Sequence, residues 1–119
     1  MADVTIFHNP NCSTSKYALV TADELGVEAD VVKYMTAAQR PTADQLRTLV
    51  SQLEDPVTDL VRRDANFEKL GLHDADVATA DQVVAVLAAH PELLQRPVIV
   101  RGGRAIIGRP KDRVAHFLS

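Results

Sequence analysis

A single cysteine, Cys12, stands in the polar run His8-Asn9-Pro10-Asn11-Cys12-Ser13-Thr14-Ser15-Lys16, between a β-prone segment and a helix-prone one. A sulfur at such a junction faces the unpaired N–H groups and the positive end of the following helix, which favours thiolate over thiol. That placement brings a cysteine pKa down from ~8.5 toward the ~3.5–7.5 range, making an attacking sulfur available at neutral pH. The same helix start is an anion site, because free backbone N–H groups and the hydroxyls of Ser13, Thr14 and Ser15 can point at oxyanion oxygens. His8 and Lys16, four residues to either side of Cys12, are placed to add positive charge near the sulfur. A lone cysteine is otherwise a small buried apolar residue; the polar neighbours Asn11 and Ser13 weigh toward the reactive reading.

One cysteine makes no intramolecular disulfide and no CxxC dithiol, since the third residue after Cys12 is Ser15. Any redox turnover must therefore borrow a second thiol. A CxxxxxR phosphatase loop is set low as well, because the sixth residue after Cys12 is Ala18. Two arginines stand beside prolines at element boundaries, Arg96 before Pro97 and Arg109 before Pro110, where a side chain emerges from a strand end rather than a strand face.

The elements that must position these groups are legible along the 119 residues, a length suited to one domain, 1–119, with its own core. Val4-Thr5-Ile6-Phe7 reads as a strand stopped by Asn9-Pro10-Asn11. A helix beginning at or just after Cys12 keeps Ala18, Ala22 and Leu25 on one side and ends at Gly26. Asp30–Tyr34 reads as a second strand, so this end is a parallel βαβ unit. Thr42 with Gln45 and Thr79 with Gln82 are capping boxes that open two further helices, the second ending at His90-Pro91. Between them Asp55-Pro56 restarts a helix carrying Val57, Leu60 and Val61, closed by Leu70-Gly71-Leu72. Val98–Val100 and Ala105–Ile107 flank Gly102-Gly103 as an antiparallel hairpin. Pro110 is read as the first turn of a last helix with Val114, Phe117 and Leu118 as its buried stripe.

A βαβ half joined through inserted helices to a ββα half is the thioredoxin-like α/β topology, with an expected four-stranded mixed sheet. In that topology the Arg96-Pro97 junction lies beside the cysteine and commonly holds a cis-proline, which would turn Arg96 toward the sulfur. Composition narrows the partners. Hydrophobic residues at 46% suit a soluble globule, and a net charge of -3 supplies no basic field for nucleic acid or anionic lipid. The first ten residues lack a basic, apolar leader, so the chain is expected to be cytoplasmic, with no membrane, metal or bound cofactor.

The His8–Lys16 segment, followed by Leu60-Val61-Arg62, Leu70-Gly71-Leu72, Arg96-Pro97-Val98-Ile99-Val100 and Gly108-Arg109-Pro110, resembles the glutaredoxin-coupled arsenate reductases over nearly the whole chain. The resemblance implies that Cys12 attacks arsenate while Arg62, Arg96 and Arg109 bind the oxyanion, with His8, Ser15 and Lys16 in support. It implies glutathione as co-substrate attacking the cysteine–arsenate adduct, and glutaredoxin completing the reduction to arsenite. Arginine suits the task because its planar fork holds two oxyanion oxygens and stays charged at any working pH. This chain has Lys16 where the family motif often has arginine, and Arg63 beside Arg62 leaves two neighbouring candidates for the first position. The same family and fold include redox-sensing and RNA-polymerase-binding regulators, whose usual CxxC is missing here. A general glutathione-dependent thiol oxidoreductase is the other alternative.

Overall fold

The computed structural model describes residues 3–119. Strands β1 (Val4–Phe7), β2 (Ala29–Val32), β3 (Val98–Arg101) and β4 (Arg104–Ile107) form one mixed sheet in the order β2-β1-β3-β4. β1 and β2 are parallel, with Val4 opposite Ala29; β1 and β3 are antiparallel, with Ile6 opposite Ile99; β3 and β4 form the antiparallel hairpin. Gly102 and Gly103, at φ +59° and +81°, take the left-handed backbone that a two-residue turn of this hand requires. The expected thioredoxin-like α/β sheet is therefore the observed one.

Side chains alternate across the sheet with the two-residue period of a strand. On one face Val4, Ile6, Ile99 and Ile106 pack under α1 (Ser13–Glu24) and α5 (Arg113–Leu118), through Ala18, Ala22, Val114 and Leu118. On the other, Val98, Ala105 and Ile107 meet α2 (Ala43–Gln52) and α4 (Ala80–Ala89), through Leu46, Leu49, Val83 and Leu87. Both capping boxes form: Thr42 Oγ1 accepts from the Gln45 N–H at 3.1 Å and Thr79 Oγ1 from the Gln82 N–H at 3.2 Å, each glutamine reaching back to its cap residue.

Three expectations change. The helix expected from Pro56 to Leu70 is two pieces, a 3-10 turn (Val57–Leu60) and α3 (Ala65–Lys69), with Val61 extended between them. Val61 is drawn out because it bridges antiparallel to Leu94, with Arg62 N–H to Leu93 O and Gln95 N–H to Leu60 O both at 2.8 Å. β2 stops at Val32, whose carbonyl accepts the His8 N–H, and Tyr34 turns into the core instead of continuing the ladder. Pro110 lies outside the last helix: α5 starts at Arg113, and the Arg109–Pro110 peptide is cis.

Gly108 closes the gap between β4 and the last loop. A Cβ there would stand 2.8 Å from both Ile99 Cδ1 and Pro97 Cγ, and 3.1 Å from Val114 Cγ2. Gly108→Ala should therefore destabilise the protein by about 1–3 kcal/mol through overpacking, measured as a lowered midpoint in urea. An unchanged midpoint would mean the Pro97–Gly108 approach is looser than described.

Candidate active site

Cys12 caps α1 with an extended backbone (φ -110°, ψ 121°), and its N–H donates to Asn9 O at 3.0 Å. Asn9 Oδ1 in turn accepts the Asn11 N–H at 2.9 Å, an Asx turn that folds the β1–α1 loop back on itself. The loop thus sets the sulfur, in a residue 9% exposed, at the helix start.

Two of the sequence-nominated arginines arrive from the far end of the chain. Arg109 Nη2 lies 3.4 Å from Cys12 Sγ, while its Nε donates to Arg96 O at 2.7 Å. Arg96 follows Gln95 at the start of the cis Arg96–Pro97 peptide, and its guanidinium lies beside the sulfur. Burial pushes the Cys12 thiol up, but the Ser15 N–H, Arg96 and Arg109 together outweigh burial and hold its pKa below the ordinary thiol value.

The antiparallel Val61–Leu94 bridge sets Arg62 opposite Leu93, whose carbonyl accepts the Arg62 N–H at 2.8 Å. With Arg63, Asp64, Gln95 and Arg109, Arg62 walls a recess of about 200 Å³. Its Nε stands 3.5 Å from Asp64 Oδ2, at ion-pair distance but without hydrogen-bond geometry. Arg63 is committed elsewhere, donating to the Val61 carbonyl at 2.7 Å and to Asp74 Oδ1 at 3.2 Å, and bonded to Thr58. Both arginines line the recess, but the Arg63 guanidinium ties its own loop together, and Arg62 is the one whose Nε keeps a spare donor.

The supporting residues are placed differently from expectation. His8 Nδ1 meets Ser15 Oγ at 2.6 Å, and the same hydroxyl accepts the Asn9 N–H at 3.0 Å. Ser15 Oγ is thereby engaged by two neighbours and fully buried. Burial, together with the charges of Lys33 and Lys16, lowers the His8 pKa below its ordinary value, so at pH 7 the ring is neutral and not the positive charge expected near the sulfur. Lys16 is exposed and contributes to this site chiefly as a charge felt by His8.

Sequence reasoning missed Tyr34. Its fully buried ring ends in a hydroxyl 3.5 Å from Leu94 O, and burial raises its pKa although Arg96, Asn9 and Arg62 all surround it. It is the floor on which the arginine segments meet; no local motif marks it, because the tyrosine reads as the tail of β2.

Arg62 Nε and Arg96 Nε are buried without a hydrogen-bond partner among the described residues. A buried charged donor left unpaired is costly, so the donor set calls for an acceptor. A thiol of lowered pKa flanked by Arg96 and Arg109, with spare donors on Arg96 and Arg62, suits a small tetrahedral oxyanion that the sulfur then attacks. No group of three or more potential metal ligands occurs among the described residues, nor is any helix there long and apolar enough to cross a membrane.

A thioredoxin-like domain with one cysteine at a helix start, arginines gathered on its sulfur and helices inserted between its halves defines a narrow class of thiol proteins. The chain belongs to the ArsC family, whose model matches residues 7–117. It is 34% identical to an arsenate reductase of Neisseria meningitidis, covering 99% of this chain and all of the relative. It is 33% identical to an Escherichia coli arsenate reductase, covering 99% of this chain and 82% of that one. The solved arsenate reductase from Vibrio cholerae superimposes with a TM-score of 0.83 at 32% identity over 97% of both chains.

The lowered thiol pKa has a direct consequence. The rate of Cys12 alkylation by iodoacetamide should rise with pH through an inflection below the ~8.5 of an ordinary thiol. An inflection at or above that value would remove the electrostatic account of the site.

Proposed function

We propose that this protein reduces arsenate to arsenite through a Cys12 thiolate, with glutathione and glutaredoxin as external reductants. The observation that carries the reading is the 3.4 Å contact between Arg109 Nη2 and Cys12 Sγ, in a chain whose full-length relatives are named arsenate reductases. Arg62, Arg96 and Arg109 hold the oxyanion over the sulfur. Cys12 Sγ attacks arsenic; an As–S bond forms, and one arsenic–oxygen bond breaks as that oxygen leaves as water, with no change in oxidation state. Glutathione then attacks the adduct, and a second thiol completes the transfer of two electrons, leaving arsenite and a disulfide. Overall, arsenate and two thiols give arsenite, one disulfide and water. Glutaredoxin enters because Cys12 is the chain's only cysteine and a mixed species on it is resolved by an external thiolate.

The test is arsenate-dependent NADPH consumption with glutathione, glutathione reductase and glutaredoxin supplied. Mass spectrometry of protein treated with arsenate and glutathione alone is expected to show an adduct on Cys12 that glutaredoxin removes. Sustained turnover without added thiol would rule the scheme out, and a thiol adduct that forms equally without arsenate would indicate a general disulfide oxidoreductase instead.

A further inference from the structure

The turn that delivers Arg109 is held from outside the site. Asp55, in the bend after α2, accepts the Ile107 N–H at 2.8 Å through Oδ2 and Arg113 Nη1 at 2.9 Å through Oδ1. The same Arg113 nitrogen lies 3.0 Å from the Ile107 carbonyl oxygen and 3.3 Å from that of Arg109. One ion pair thus pins both ends of Ile107-Gly108-Arg109. The inner side of the turn is fixed by Gly108 N–H to Pro97 O at 2.8 Å and by Arg109 Nε to Arg96 O at 2.7 Å.

Two further observations single out this pair. Its side chains are only 17% (Asp55) and 34% (Arg113) exposed, so it is less screened than a surface pair. Arg113 is also the first residue of α5, where a positive charge opposes the helix dipole. Its location is unfavourable for the helix and is explained by what the guanidinium holds.

We propose that Asp55 and Arg113 are positioning residues that lock the Ile107–Arg109 turn, so that the Arg109 guanidinium stays on Cys12 Sγ while its Nε bridges to Arg96. The rival role is general stability, since the pair also ties the bend after α2 to the last helix. The two roles separate through Arg109. If the pair acts through that side chain, its loss changes the sulfur only while Arg109 is present.

The experiment measures Cys12 alkylation against pH in seven proteins: wild type, Asp55→Asn, Arg113→Met, Arg113→Lys, Arg109→Ala, and Asp55→Asn and Arg113→Met each combined with Arg109→Ala. Asp55→Asn keeps the size and an acceptor for the Ile107 N–H but loses the charge pairing. Arg113→Met keeps most of the stem and loses every hydrogen bond. The expected result is a rise in the thiol pKa, with alkylation at pH 7 slower by up to about tenfold, one pKa unit's worth of thiolate. In the Arg109→Ala background the same substitutions should leave the rate unchanged, and Arg113→Lys should restore part of the single-variant loss. Profiles that overlay wild type, or an equal loss with and without Arg109, would overturn the proposal. Should Arg113→Met fail to fold, Asp55→Asn decides the matter by the same comparison. The measurement uses no arsenate, so its failure leaves the substrate reading standing, and an inactive arsenate assay leaves this inference standing.

Discussion

Cys12→Ser should abolish arsenate-dependent turnover while leaving the circular dichroism spectrum unchanged. The hydroxyl is nearly the size of the thiol, and the backbone bonds that shape the loop, Cys12 N–H to Asn9 O and Lys16 N–H to Cys12 O, do not involve the sulfur. What is lost is the nucleophile and the anion at the centre of the arginines. Because the folded thiol pKa is depressed, thiolate formation stabilises the fold above the ordinary thiol pKa, and that contribution is lost as pH falls through the folded value. Wild type should therefore gain stability over Cys12→Ser as pH rises through this window, and the two should converge below it. Residual turnover at the wild-type rate in the serine variant would sink the mechanism.

Arg109→Ala is expected to have the second largest effect. Arg109 is the residue whose guanidinium directly contacts the sulfur and whose Nε also holds the Arg96 carbonyl, so its removal takes away an oxyanion donor, a thiolate partner and a tie to the second arginine. A fall in kcat/KM for arsenate of about 100- to 1,000-fold follows from the loss of one preorganised donor. The alkylation inflection should rise with it. Arg109→Lys keeps the charge but cannot hold sulfur, oxyanion and carbonyl with one planar fork, so it should recover only part of either quantity. Full arsenate activity in Arg109→Ala would place this arginine outside the chemistry.

Local signals in the sequence carried far. The two Thr–Gln capping boxes, the Gly102-Gly103 hairpin and the β1 to α1 junction at Cys12 are set by residues within a few positions of one another, and each forms as read. What was not legible depends on distant partners. The chain at Val61 looks helical by its apolar spacing, and is pulled straight by Leu94, thirty-three positions away. His8 looks like a cation near the sulfur, yet Ser15 and burial make it a neutral strut. Arg62 and Arg63 are indistinguishable in sequence until Thr58 and Asp74 claim one of them. Pro110 fits a first helical turn by composition, but Arg113 needs its preceding residues free to fold back on the Ile107–Arg109 turn. Tyr34 and Asp55 carry no motif, since their meaning lies in which carbonyls and amides come to meet them.

The contact between Cys12 and Arg109 joins residues ninety-seven positions apart, and that span bears on synthesis as well as chemistry. A ribosome-bound chain that has emerged only through α4 already contains Cys12 and the start of α1, but neither Arg96 nor Arg109. Closing so long a loop comes late, because its entropy must be met before the contact forms. Until then the sulfur lacks both of the arginines that help to lower its pKa. The full lowering of the thiol pKa should therefore coincide with completion of the fold, so that the alkylation rate at neutral pH serves as a clock for following it in real time.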